Sequence, residues 1–294
     1  MTLSTNANSS LSVGIIGAGK LAGVLISAFG NRIKWVVCHS QTKADELHRH
    51  YKTLPVYLSM KEITSTCDIV ILTVPDRSIK EVAEELSFLF DEKDSDKMVI
   101  HCSGALGLDE LISCKLAGVR TVAAHPFQTF TGSDVSALKG IAWGIECEPN
   151  DEKLAELIVR NLGGIPIILS EKTRRNKAMY HASAVVASNF ITMLVEVARE
   201  FAEVAGINDE FLAPIIRRTV ENSLESVHNN TPIPLTGPIA RADITTIKRH
   251  RTALENTPLW ELYSILSHAT ATVAFSNKII TSEEFENIKN VVKQ

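Results

Sequence analysis

A chain of 294 residues with 45% hydrophobic side chains can bury two modest cores or one large one, and 22% charged residues without a low-complexity tract describe a globular protein. The 30 basic and 34 acidic side chains leave a net charge of −4, which indicates no polyanionic partner and excludes nucleic acid as the expected ligand. Cys38, Cys67, Cys102, Cys114 and Cys147 form no C-x-x-C pair, and an odd number argues against a disulfide framework and for a reducing, cytoplasmic compartment.

The opening MTLSTNANSS is polar, without a basic region or an apolar core, and reads as a disordered tail over residues 1–10 instead of a signal peptide. From residue 11 to about 170, short apolar runs alternate with helical patterns. Ser12–Ile16, Ile33–Cys38, Asp68–Val74, Met98–Cys102 and Thr121–Ala124 read as strands, and Ile141–Glu146 and Ile165–Leu169 extend the same sheet. Between them Lys20–Phe29, Thr42–Arg49, Ser59–Thr66, Ser78–Leu89, Leu108–Leu116 and Asp151–Asn161 read as helices. This alternation predicts an α/β domain over 11–170 with parallel strands covered on both faces.

Residues 171–294 carry helical spacing only and predict an all-α second domain of roughly five or six helices. Glu171 to about Ala205 contains no proline and predicts one helix about 50 Å long at about 1.5 Å per residue. Its middle, Ala182 to Val195, has no charge on any face, so other elements must enclose it. That stretch falls short of the roughly 20 residues a bilayer span requires, and no membrane is expected. Gly206 closes this helix. Further helices are predicted over Asp209–Val227, Ala242–Leu254 and Pro258–Asn277, the last with Thr257 as its cap, and Asn229–Gly237 is a loop. The final helix opens near Ser282 behind a Thr281–Glu284 capping box.

The sharpest chemical signal is Ser12-Val-Gly-Ile-Ile-Gly-Ala-Gly-Lys-Leu-Ala22, where Gly17, Gly19 and Ala22 form G-x-G-x-x-A between a strand and a helix. Gly17 permits the tight turn, Gly19 lets backbone approach a diphosphate, and Ala22 lets the helix lie close to the strands. With Ala18, Lys20 and Leu21 they build a loop and helix start whose N–H groups would hold a dinucleotide. The second strand runs out as Val37-Cys38-His39-Ser40-Gln41-Thr42-Lys43, with no carboxylate for an adenosine ribose. Ser40, Thr42 and Lys43 suit a 2′-phosphate instead, which favours NADP over NAD; the plain alternative for Lys43 is a solvated helix face.

Ligands of such sheets lie beyond the carboxyl ends of strands. Val74 and Pro75 would pack under the nicotinamide half. Ser103, beside Gly104, is placed for a substrate oxygen, while His101 within the strand reads as a core histidine. His125, followed by Pro126, leaves its strand at the cleft mouth, as a substrate or acid–base group or as a hydrogen-bonded structural histidine. Phe127 and Phe130 pack the rim. Lys177 and His181, four apart, share a helix face, with Tyr180 one position off it. Asn189 either links helices or reaches a ligand. Arg241, after the Gly237-Pro238 turn, could clamp a carboxylate, and Asp243 caps the next helix.

On these residues the chain resembles a bacterial family that joins a Rossmann-like domain to a helical domain of unknown function (number 2520). The resemblance covers nearly the whole chain. It rests on Gly17-x-Gly19-x-x-Ala22, His101-Cys-Ser-Gly104, His125-Pro126, Tyr180-His181-Ala-Ser-Ala with Asn189, and Thr236-Gly-Pro-Ile-Ala-Arg-Ala-Asp243. More distantly the layout is similar to β-hydroxyacid dehydrogenases, pyrroline-5-carboxylate reductases and prephenate dehydrogenases. In the hydroxyacid enzymes a helical-domain lysine is the general acid–base, and an asparagine follows one turn later. The lysine corresponds to Lys177, but the asparagine position holds His181, and Ser103-Gly104 matches the substrate-binding strand end. Relatives of this layout dimerise through the helical domain, which implies a homodimer covering Ala182–Val195.

Residues and resemblance together imply an NADP-dependent oxidoreductase that passes a hydride to or from a small, carboxylate-bearing C=O or C=N metabolite, without a metal. His181 would move the proton, because a lysine near pKa 10.4 must be lowered for that task while a histidine starts closer to neutrality. Lys177 would polarise the substrate oxygen, and Arg241 or Ser103 would hold the carboxylate. The alternative is a non-catalytic NADP-binding sensor or scaffold dimer, which does not need Lys177, His181 and Arg241 to converge.

Overall fold

β1 (Val13–Ile16) is buried at all four positions, as a central strand covered on both faces must be. In this computed structural model, which describes residues 11–63 and 65–293, it lies between β2 (Ile33–Val37) and β4 (Ile69–Leu72). The expected tail over residues 1–10 lies outside the described residues. With β3 (Val56–Tyr57), β5 (Met98–His101), β6 (Arg120–Pro126), β7 (Ala142–Cys147) and β8 (Ile165–Ile168), the strands form one sheet in the order β3-β2-β1-β4-β5-β6-β7-β8. The chain thus runs outward from β1 to β3 and returns to β4 on the other side. Asp68 fastens that return: its Oδ2 accepts from the Ser12 N–H at 2.6 Å and the Ser12 hydroxyl at 2.7 Å.

The strands from β1 to β6 are parallel, as expected, but β7 runs antiparallel to β6, and β8 parallels β7. The connection from β6 to β7 holds only a 3₁₀ turn, Val135–Leu138, and no helix to carry the chain back across the sheet, so the next strand reverses. The short β3 was not expected; two residues are too few for a periodic signal. One sheet face packs Val13, Ile15, Leu25, Ile100 and Trp143 against α1 (Lys20–Phe29) and α5 (Glu152–Asn161). The other packs Ile16, Leu72, Val82, Leu86 and Leu111. All five cysteines are free thiols.

Most predicted helices stand: α2 (Gln41–His50), α3 (Ile79–Ser87) and α4 (Ile112–Leu116), the last entered through a 3₁₀ turn. Ser59–Thr66 is not a helix. Ser59 and Glu62 form a capping box around a single 3₁₀ turn, Met60–Glu62, and the chain then leaves in extended form. The long helix expected from Glu171 is broken twice. α6 (Glu171–Arg175) stops at Asn176, whose φ of −123° and ψ of 37° leave the helical region while its amide donates to the Lys172 carbonyl at 2.8 Å. α7 (Lys177–Val185) then passes into a π turn, Val186–Phe190, where the Ser188 hydroxyl bonds the Ala184 carbonyl at 2.7 Å, before α8 (Ile191–Val204) resumes.

The first compact unit extends to Phe190 and the second starts at Ile191, beyond the change of character near residue 170. α9 (Leu212–Asn229), α10 (Gly237–Ala240), α11 (Ile244–Leu254), α12 (Leu259–Ser276) and α13 (Ser282–Val291) complete the helices. The second unit's core gathers Ile239, Ile247, Ala271, Ala274 and Ile288. Asp243 caps α11 and the Thr281–Glu284 capping box opens α13, as expected. Thr257 does not cap α12; its hydroxyl bonds the Leu254 carbonyl at 2.8 Å. The apolar middle of the long run is not enclosed within the chain: Val186, Phe190, Ile191, Met193 and Leu194 are exposed. By length and composition the run Lys177–Val204, mean hydropathy 1.4, suffices for a membrane span.

Replacing Asp68 by Ala removes both bonds to Ser12 at the point where the strand order turns back. A loss of about 1–3 kcal/mol in unfolding free energy is expected, measured by urea denaturation.

Candidate active site

The carboxyl ends of β1, β4, β5 and β6 share one edge of the sheet, because these strands are parallel. At the end of β1, Gly17 has a φ of +117°, and a Cβ there would lie 2.5 Å from the Thr73 hydroxyl and 2.7 Å from its carbonyl oxygen. No side chain larger than hydrogen fits. Gly19 starts α1, whose first turn has no side-chain cap, and the nearest atom to a Cβ at Gly19 would be Thr73 O at 4.0 Å. The first N–H groups of a ten-residue helix therefore face open space. A cleft of about 380 Å³ beside them is lined by Ala18, Gly19, Lys20, Lys43 and Glu46. These residues fit a diphosphate: backbone donors, no side chain in the way, and a helix start.

The proposed ribose end is already engaged. The Ser40 hydroxyl caps α2 by accepting from the Lys43 N–H, and the Lys43 ammonium pairs with Glu46 at 2.6 Å on an exposed face. Thr42 is exposed in the first turn of the same helix. Leu21 is half-buried and Ala22 buried, the latter packing α1 onto the sheet as expected. Val74 packs partly into the second core cluster, while Pro75 is exposed.

The second group stands at the ends of β5 and β6. His125 pairs in register with Gly144 on β7, and Tyr180 from α7 fills the space above that glycine: a Cβ at Gly144 would lie 2.4 Å from the Tyr180 hydroxyl. That hydroxyl is hydrogen-bonded to His125 Nδ1 at 3.0 Å. The His181 ring meets His125 edge-on with centroids 5.8 Å apart, and both rings crowd Gly104, where a Cβ would stand 2.7–2.8 Å from them. Phe127 closes the group against His125 and Tyr180, as the rim position predicted. Phe130 packs against the first core cluster. Burial, helped by the neighbouring His181 and Lys177, lowers His125 to a pKa of about 4. Burial pushes the Tyr180 phenol up to about 12.

Lys177 does not project a free cation. It is 7% exposed, and its ammonium lies 3.1 Å from a Glu146 carboxylate oxygen, itself on a side chain 14% exposed. A buried charge needs such a partner. Glu146 was not singled out from the sequence, because its place opposite α7 depends on the reversed direction of β7. Ser103 is buried, and its hydroxyl oxygen accepts from the Ala105 and Leu106 N–H groups at 3.2 Å, which shapes the turn. His101 is the core histidine, fully buried, with Nε2 2.9 Å from the Gly107 carbonyl and Nδ1 accepting from the Ser103 N–H. Burial lowers its pKa to about 4 as well. Burial also raises the adjacent Cys102 to about 12, so that thiol is no nucleophile.

Asn189 sits in the exposed π turn, its side-chain oxygen accepting from the Ser188 hydroxyl at 2.9 Å. Arg241 belongs to the second unit, exposed at the end of α10, so it is not among the side chains brought together in the first. It precedes Ala242, whose φ of +50° is uncommon for a residue with a side chain. Among the described residues no group of three or more His, Cys, Asp or Glu is arranged to hold a metal ion.

A doubly wound sheet whose order turns back beside β1, followed by helices, defines a Rossmann-like protein with an all-α C-terminal part. Residues 2–126 match the Rossmann-like domain model, and residues 141–270 match that of a domain of unknown function (DUF2520). The chain therefore joins a Rossmann-like domain to a DUF2520 domain. Among solved structures it is similar to a Bacteroides fragilis protein named provisionally as an NADP oxidoreductase, at 22% identity, 90% of this chain, 99% of that one and a TM-score of 0.73. It is also similar to a Streptomyces aurantiacus imine reductase, at 13% identity over 96% and 100% of the chains, TM-score 0.62. A Plasmodium falciparum pyrroline carboxylate reductase solved with NADP bound shares 18% identity over 97% and 99%, TM-score 0.55. These likenesses concern the fold. No curated protein matches the sequence.

His101 and His125 both titrate near pH 4 in the folded chain and near 6.5 unfolded, so below 6.5 the unfolded chain binds more protons. Their contribution to stability is complete above pH 6.5 and is lost as the pH falls towards 4. Thermal unfolding between pH 7 and pH 4.5 should show a falling Tm, and His101→Gln should flatten that dependence.

Proposed function

We propose that the protein is an NAD(P)-dependent oxidoreductase acting on a C=O or C=N bond of a small metabolite, with NADP the preferred cofactor. One observation carries the reading. The uncapped start of α1 behind Gly17 and Gly19 shares a sheet edge with a half-buried group of proton-bearing side chains, His125, His181 and Tyr180. The solved reductases of the same fold support it.

Gly17, Ala18, Gly19 and the first turn of α1, with Lys20, Leu21 and Ala22, would hold the diphosphate through backbone N–H groups. Ser40, Thr42 and Lys43 would receive a 2′-phosphate, for which Lys43 must exchange its pairing with Glu46. Val74 and Pro75 would border the nicotinamide. When bound, the cofactor supplies or accepts a hydride. The chain's own part is to move a proton and fix the reacting atoms. His181 is the proton carrier, since burial holds its neighbour His125 at a pKa of about 4. His125 stays uncharged at neutral pH; with the Tyr180 phenol, the stronger donor, bonded to Nδ1, its Nε2–H is left to hold a substrate acceptor atom.

A second copy of the chain is proposed to cover the exposed apolar residues Val186, Phe190, Ile191, Met193 and Leu194. The working compartment would be the cytoplasm.

NADPH and NADH titrations followed by fluorescence should differ by at least about tenfold in Kd, NADPH binding more tightly; equal affinities would remove the 2′-phosphate assignment. In a metabolite screen followed by nicotinamide absorbance, His181→Ala should lower turnover by about 10²–10⁴-fold with nucleotide affinity unchanged. A variant that loses nucleotide affinity but keeps turnover would overturn the role given to His181.

A further inference from the structure

Pro238 and Ile239, from the turn-rich stretch singled out in the sequence, wall an open cavity of about 620 Å³ within the second unit. Gly237 and Ala242 flank them with φ of +91° and +50°, and the second value is uncommon for a residue with a Cβ. Local strain of this kind collects at ligand sites. Val197 and Phe201 of α8, Leu212 of α9 and Leu266 of α12 supply further apolar walls. Size and lining both suit a small molecule.

One side of the cavity is polar. Tyr263 and Ser267, one turn apart on α12, line it together with His250 of α11. The Tyr263 hydroxyl lies 2.6 Å from His250 Nδ1, and the Ser267 hydroxyl bonds the same phenol. Burial raises the phenol above its usual range, so it stays protonated and, as the stronger donor, gives its hydrogen to Nδ1. The imidazole then carries its own hydrogen on Nε2, which has no partner among the described residues. Among those residues no carboxylate, lysine or arginine lines the cavity, so a charged ligand would be buried there without a counter-charge.

We propose that this cavity binds a small uncharged molecule with an apolar body and one hydrogen-bond acceptor, such as a ketone, which His250 holds through its Nε2–H. The site lies wholly within the second unit and does not depend on the nucleotide reading. An apolar face of a second copy laid over it would bury that N–H unmatched, whereas a carbonyl oxygen satisfies it.

The test uses the full chain with ¹⁵N-labelled histidine, without nucleotide, and two probes of one skeleton, camphor and its carboxylate ketopinate. Camphor should move the His250 signals saturably, these being identified by their loss in His250→Phe. By calorimetry ketopinate should bind at least about tenfold more weakly than camphor. His250→Phe should bind camphor at least about threefold more weakly, although the new ring is the more apolar. Ala198→Trp, which fills the cavity from α8, should abolish binding and serves where His250→Phe does not fold by circular dichroism. No saturable response, equal affinities for the two probes, or equal or tighter camphor binding by His250→Phe overturns the proposal. So does camphor binding that disappears as the chain self-associates in light scattering, which gives the groove to a second copy. NADPH affinity, measured separately and unchanged in both variants, keeps this outcome apart from the nucleotide reading.

Discussion

Side chains are missing from the carboxyl edge of the sheet at the positions where other groups must come close, and this steric constraint organises the rest of the molecule. At Gly17 the chain turns against Thr73 with no room for a Cβ. At Gly104 and Gly144 the vacated space is filled by His125, His181 and Tyr180. The first omission exposes backbone donors at the start of α1. The other two allow aromatic and imidazole rings to meet edge-on over the strand ends, where burial keeps His125 and Tyr180 uncharged. A nucleotide-type cleft and a proton-bearing group thus share one edge for the same physical reason.

Electrostatics then divides the labour among similar side chains. His101 and His125 are both held neutral, but the first spends both ring nitrogens on backbone and the second spends only one, on Tyr180. Lys177 and Glu146 bury two full charges that are tolerable only together. Their meeting depends on β7: had that strand followed the parallel pattern of its predecessors, the register that sets Glu146 opposite Ala123 and Gly144 opposite His125 would not arise.

The apolar run after Asn176 illustrates how side chains interrupt a helix that composition favours. Asn176 and Ser188 each bond a carbonyl of the preceding turn, and the chain answers with a break and a π turn. The break lets α7 pack in the first unit, with Lys177 and Tyr180 reaching the sheet. Beyond it the apolar side chains stay exposed within a single chain, which is the surface a second copy is proposed to cover.

The sequence by itself determined the described strands other than the two-residue β3, and most helices, because alternation, caps and a glycine-rich turn are local signals. G-x-G-x-x-A located Gly17 and Gly19, and the Lys177–His181 spacing placed two polar groups on one turn of helix. It singled out His125 by the proline that follows. Only the tertiary structure decided the direction of β7, the partnership of Tyr180 with His125, and the pairing of Lys177 with Glu146. It also placed Ser103 in a turn and Arg241 outside the first unit. The Tyr180–His125 and Lys177–Glu146 partnerships join residues 55 and 31 apart in the chain, and periodicity within a segment carries no information about which strand will lie beside it or in which direction.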